Sequence, residues 1–393
     1  MKKVLQVFML ILFFFIVFLQ ANPVIAEENQ EQEKLEDELI EELSFKEIEK
    51  YWNKVTSDYQ GYVPELEKTS VMDYIKQKEK LSFKNILKGV SEYFLYELLL
   101  NGKLLGTLIV LVLFSTFLQT IHSAFEKNAV SKIAYFVVYF VLIFVLLNSF
   151  YSVFEYTKDT IQQLSDFMLA LLPMLLGLMS SFGNLLAVSF FQPIIIFIIY
   201  LSSLIVSKFS LPLLFLSALL FIVSFLNEQF KLIHLAKLLR TVSVGILGIL
   251  MTIFISVMSI QGTASAVQDG IAMKTTKFIT GNFIPVIGRT FTDATDTVFT
   301  ASLLLKNTVG IVGLILISFI TLFPVLKIGA IGLIYKVSAA ILEPLGDGPM
   351  VDMIAEMSKY IFYVLACLLV VTLMFFLAIV IIIVASNVTL FLR

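Results

Sequence analysis

Charge is scarce in this 393-residue chain: Asp, Glu, Lys and Arg make up 15% of it, where soluble domains carry about a quarter. Its single cysteine, Cys367, lies in an apolar run, which excludes an internal disulfide and a cysteine-rich zinc site. The two histidines, His122 and His234, stand far apart with no ligand cluster around either. No Walker A loop, HExxH helix or GxSxG elbow occurs, so nucleotide hydrolysis, metal catalysis and serine-hydrolase chemistry have no visible machinery. The expectation is a protein that is not an enzyme and needs no cofactor. The formal net charge of −2 comes without a concentrated basic face, so a nucleic-acid partner is not expected. The apolar runs also lack the buried ionisable residues of an ion-coupled transporter. Lys336 is the one exception, and a lysine near a helix end snorkels readily to the interface.

What the chain has instead is apolar surface. It is 59% hydrophobic with 37 phenylalanines and a mean hydropathy of +0.93. The apolar stretches are continuous rather than alternating, which points to membrane helices and away from a β-barrel. Membrane lipid is therefore the first expected partner.

The N-terminus has the layout of a signal peptide. Lys2 and Lys3 precede an apolar run over 4–19, and Pro23, Val24 and Ala26 form a small-residue exit. Cleavage after Ala26 is expected, and an uncleaved anchor is the alternative. Either way Glu27 lies outside the cytoplasm. Residues 27–50 hold eleven acidic and three basic side chains, a balance that keeps the start of the segment loose. Leu35, Leu39, Leu43, Ile48, Trp52 and Val55 then recur at helical spacing. That stripe suits a short amphipathic helix covered by a partner, or one folded back on the protein itself. A second amphipathic helix is expected from Ser82, with Phe83, Ile86, Leu87, Val90, Phe94 and Leu98 on one face. It either lies in the outer interface or extends the first membrane helix.

The chain thus divides into a signal peptide at 1–26, an extracytoplasmic segment at 27–103 and a polytopic membrane domain at 104–393. The fold class is all-α, with about 7–9 membrane segments. Apolar runs long enough to cross the hydrocarbon core occupy 104–121, 133–154, 167–182, 185–206, 211–226, 242–260, 308–326 and 360–388. A weaker run at 328–342 is interrupted by Lys336. Alternation places 122–132 and 227–241 inside, where their lysines and Arg240 obey the positive-inside rule, and 155–166 outside as a return loop. If 328–342 crosses, Glu343, Asp347, Asp352 and Glu356 fall outside and Arg393 inside.

The large polar connection at 261–307 is the most distinctive stretch. Gly281, Pro285 and Gly288 set turns, and a helix from about Phe291 places Asp293 and Asp296 on one face. Lys277, Arg289, Asp293 and Asp296 are the candidate pore-lining or partner-facing residues. The competing account of the aspartates is capping and macrodipole stabilisation at a helix start. The glycine pairs Gly245 and Gly248, Gly310 and Gly313, and Gly329 and Gly332 are not strict GxxxG motifs, and no helix interface is assigned to them.

The same connection carries a family resemblance, together with Asn101-Gly-Lys-Leu-Leu-Gly-Thr-Leu108, Gln261-Gly-Thr-Ala-Ser-Ala-Val-Gln-Asp-Gly-Ile271, Ser302-Leu-Leu-Leu-Lys-Asn-Thr-Val-Gly-Ile311 and Ala340-Ile-Leu-Glu-Pro-Leu-Gly-Asp-Gly348. Over essentially its full length the chain resembles the stage III sporulation protein AE family. The resemblance implies a non-enzymatic subunit of a mother-cell to forespore channel, a secretion-like complex needed for endospore formation, in which it supplies the export-gate or platform element. The implied location is the mother-cell membrane around the forespore, with the mature N-terminus extracytoplasmic. Implied partners are the other stage III sporulation A proteins, including a secretion-type ATPase and ring-forming subunits, and stage II sporulation protein Q. An independent small-solute permease is the alternative.

Overall fold

The computed structural model describes residues 45–59, 61–63, 70–71, 83–124, 129–180, 185–226, 232–283, 287–345 and 348–391. Side chains within 122–132, 179–192, 226–231, 261–304 and 385–393 lie outside that description. The expected signal peptide at 1–26 and most of the acidic segment also fall outside the described residues.

The all-α expectation holds, and no strand occurs among the described residues. A short helix, α1 (Lys46–Asp58), precedes α2 (Phe83–Leu100) and α3 (Gly102–Ala124). Five long rods follow: α4 (Ala129–Ser180); α5 (Leu185–Ile205) joined through a π-helical turn (Val206–Ser210) to α6 (Leu211–Leu226); α7 (Ile233–Phe283); α8 (Ile287–Leu342); and α9 (Pro349–Phe391). Six segments among the described residues are long and apolar enough to cross a membrane.

The six candidate spans among the described residues correct the expected 7–9, and the reason is local. Runs 133–154 and 167–182 were expected to turn back at 155–166, yet α4 continues straight through as one helix of 52 residues. That stretch has no glycine or proline to break it. Its polar side chains instead bond at helical spacing. Lys158 pairs with Glu155 at 3.4 Å, Gln162 donates to Asp166 at 2.8 Å, and the Thr157 and Thr160 hydroxyls donate to carbonyls one turn back. A hydropathy dip marks side-chain polarity and says nothing of backbone direction. For the same reason 308–326 and 328–342 are one helix, with Lys327 held over the Tyr156 ring at 4.8 Å. Pro173, Pro193 and Pro324 sit inside helices, as proline does in apolar bundles whose neighbours satisfy the freed carbonyl.

The rods run alternately up and down. We call proximal the end holding the α3–α4, α6–α7 and α8–α9 connections, and distal the end holding the α4–α5 and α7–α8 connections. α9 forms the centre, against α4, α6, α7 and α8. It is antiparallel to α8, with Thr321 and Thr372 hydroxyls 3.1 Å apart. It is parallel to α4, with Tyr139 donating to Met353 Sδ at 3.8 Å and the Phe150 and Tyr360 rings 6.4 Å apart. Three glycines of α8 make this approach close. A Cβ at Gly310 or Gly332 would press on Ile383 or Ile361 of α9, and one at Gly313 on Leu171 of α4. Gly245, Gly248 and Gly329 face open space, so half of the small residues do line an interface to which the sequence had assigned none.

Candidate functional site

Two polar constellations interrupt the apolar bundle. The first lies where α1 docks. Trp52 and Ile48 are each only 2% exposed, and Val55 is buried beside them, so this part of the amphipathic stripe folds back on the chain itself; Leu35, Leu39 and Leu43 lie outside the described residues. Tyr51 meets Phe167 of α4 edge-on at 5.2 Å. Tyr59 stacks on Phe323 of α8 at 3.8 Å, and Tyr93 of α2 meets the same ring at 4.9 Å. Burial, with Tyr156 beside it, pushes the Tyr59 phenol well above the usual tyrosine range, so it stays protonated.

Under this aromatic cluster Glu97 is buried. Its carboxylate accepts from Tyr93 Oη at 2.9 Å and from Asn101 Nδ2 at 3.1 Å, which compensates its desolvation. Asn101 also closes the turn between α2 and α3 through its backbone N–H to Glu97 O. The buried stripe of α2 is thus Ile86, Tyr93 and Glu97, rotated from the expected one. Leu87 lies 56% exposed.

The second constellation lies toward the proximal end, between α6, α7 and α9. Arg240 Nη1 stands 2.9 Å from Glu356 Oε1, and Lys359 pairs with the other Glu356 oxygen. The guanidinium lies 5.3 Å from the Tyr363 ring centroid and 5.9 Å from that of Tyr360, within cation–π reach. Tyr360 Oη lies 2.8 Å from Ser217 Oγ, and Ser217 donates to Ala236 O. This pairing corrects the expected topology. Residues 227–241 and 343–356 were placed on opposite sides if 328–342 crossed, yet Arg240 and Glu356 touch. Because 308–342 is one rod, the α6–α7 and α8–α9 connections share an end, and α9 carries the C-terminus to the distal one.

Removing Glu356 tests how far this clasp holds α7 to α9. Glu356→Leu is expected to destabilise the bundle by on the order of 2–3 kcal/mol, since it strands a half-desolvated arginine. Arg240→Met combined with Glu356→Leu recovers part of the loss. Thermal unfolding of purified protein in lipid nanodiscs measures both, and equal, additive losses would show that the pair is not coupled.

The residues singled out from sequence lie at the distal end. Lys277 is on α7, and Arg289, Asp293 and Asp296 are on α8; their side chains lie outside the described residues. The 261–307 stretch is therefore helical up to Phe283 and again from Ile287, rather than a loop between spans. α8 begins at Ile287, not near Phe291, which sets Asp293 and Asp296 beyond the first turn. Capping and macrodipole effects act mainly within that turn, which leaves a solvated helix face as the competing account of these aspartates. Sequence reasoning missed the Arg240 clasp because it assigned both partners to loops. The one sequence signal is Glu356, Lys359 and Tyr360 at one-turn spacing where an apolar run begins.

Comparison with known proteins gives a consistent result. A family model described as stage III sporulation protein AE matches residues 66–386. The stage III sporulation protein AE of Bacillus subtilis (strain 168) is 44% identical over 361 residues, covering 92% of this chain and 90% of the relative. No solved structure matches.

Proposed function

This chain belongs to the stage III sporulation protein AE family, and from that membership we propose that it is a non-enzymatic membrane subunit of the channel joining mother cell and forespore. In this reading it is the export-gate or platform element of a secretion-like complex. It sits in the mother-cell membrane around the forespore with its mature N-terminus in the intermembrane space. Its partners are the other stage III sporulation A proteins, including a secretion-type ATPase and ring-forming subunits, and stage II sporulation protein Q. Lys277, Arg289, Asp293 and Asp296 are the partner-facing or pore-lining residues.

The observation that carries the reading is the length of the rods. α8, at 56 residues, spans about 84 Å, against about 30 Å of hydrocarbon. A permease built to enclose a small solute needs no such reach, whereas a platform that meets partners beyond the bilayer does. Purification of the tagged chain from sporulating cells is expected to bring down the ATPase and ring-forming subunits together. Recovery of the chain without them, along with solute transport by vesicles holding it alone, would overturn the proposal in favour of a permease.

A further inference from the structure

We propose that a single bilayer is seated on the proximal half of the bundle, and that α4 leaves it at Glu155, so that the apolar segment beyond is a protein core standing outside the lipid. The inference is independent of which partners the protein has. It begins from two apolar stretches of α4 that look alike in sequence and differ in surroundings. From Ile133 to Phe154 the helix presents Phe136, Phe140 and Phe144 outward, the last 71% exposed. That stretch measures about 33 Å, close to the hydrocarbon thickness. From Phe167 to Leu175 the side chains of Phe167, Met168, Leu171, Leu172 and Leu175 are fully covered by protein, while Leu169 and Met174 are half-buried and Pro173 is exposed. Leu171 meets Gly313 of α8, whose other neighbour is Ile379 of α9, and both of these are buried. The first stretch is apolar because it meets lipid; the second is apolar because it meets protein.

The boundary between them is marked twice. Asp159, Gln162 and Asp166 point outward from α4, and an exposed carboxylate at hydrocarbon depth costs several kcal/mol. At the same height α1 docks through Tyr51 on Phe167 and Tyr59 on Phe323. The outer face of α1 bears Glu47, Lys50 and Lys54, all exposed, so this flank of the bundle faces water. Lys127 and Lys132 flank the other end of the proximal stretch, as expected of residues leaving the opposite membrane surface.

Spin labels decide the matter. The full-length protein, with Cys367→Ala as background, is reconstituted in phosphatidylethanolamine–phosphatidylglycerol vesicles with one label at Phe140→Cys, Gln162→Cys or Gly177→Cys. Gly177 is exposed, and an added Cβ there meets nothing within 4 Å, so the label does not disturb packing. Phe140 should collide freely with oxygen and little with a water-soluble nickel chelate, and Gln162 the reverse. At Gly177 the nickel collision rate is expected to be several-fold above that at Phe140. Low collision with both reagents would mean cover by protein at a site the structure leaves exposed, and would also overturn the proposal. An oxygen-rich, nickel-poor profile at Gly177 matching that at Phe140 would overturn the proposal.

Discussion

Trp52→Ala is expected to release α1 from the bundle. The indole is 2% exposed and lies in one cluster with Ile48 and Val55, and truncating a buried tryptophan costs about 3–5 kcal/mol. A helix of 13 residues has little stability of its own in water, so nothing else would keep it folded once undocked. Hydrogen exchange of amides 46–58 should rise by orders of magnitude while α8 and α9 remain protected. Lys54→Ala, on the exposed face, serves as the control and should change nothing. Unchanged exchange in Trp52→Ala would show that the stripe does not hold α1.

The second large effect is expected near the α7–α8 connection. Replacing both Asp293 and Asp296 with lysine should block formation of heat-resistant spores while the protein accumulates and inserts normally. An exposed helix face without a partner tolerates such changes within about ±0.5 kcal/mol, so a block at normal protein level would mean that the face meets a partner or a pore. Immunoblots of membrane fractions and counts of heat-resistant spores separate the outcomes. Normal spore counts would remove the two aspartates from the site, and loss of the protein would make the site structural.

Both experiments draw on features with unequal legibility. The stripe Ile48, Trp52 and Val55 was plain in the sequence, but its cover was not, because an amphipathic period reports that a face is buried and not by what. Sequence named Lys277, Arg289, Asp293 and Asp296 from the composition of their stretch and, for the two aspartates, from helical spacing. The Arg240–Glu356 clasp joins residues 116 positions apart, and no local pattern encodes such a meeting. Glu97 was invisible for a related reason: a lone carboxylate on an apolar helix is buried only if donors such as Tyr93 and Asn101 arrive.

By itself the sequence determined that this is an all-helical chain rich in membrane-length apolar segments, and which family it resembles. Hydrophobicity and the lack of breakers act residue by residue, and each helix satisfies its own backbone hydrogen bonds. Only the tertiary structure decided how many rods there are and which ends meet, because neither is a local property. A polar interval such as 155–166 reads the same whether the chain turns back or continues. Likewise an apolar segment such as 167–178 reads the same whether lipid or protein covers it. The choice is made by long-range contacts: Thr321 against Thr372, Leu171 against Gly313, and Arg240 against Glu356.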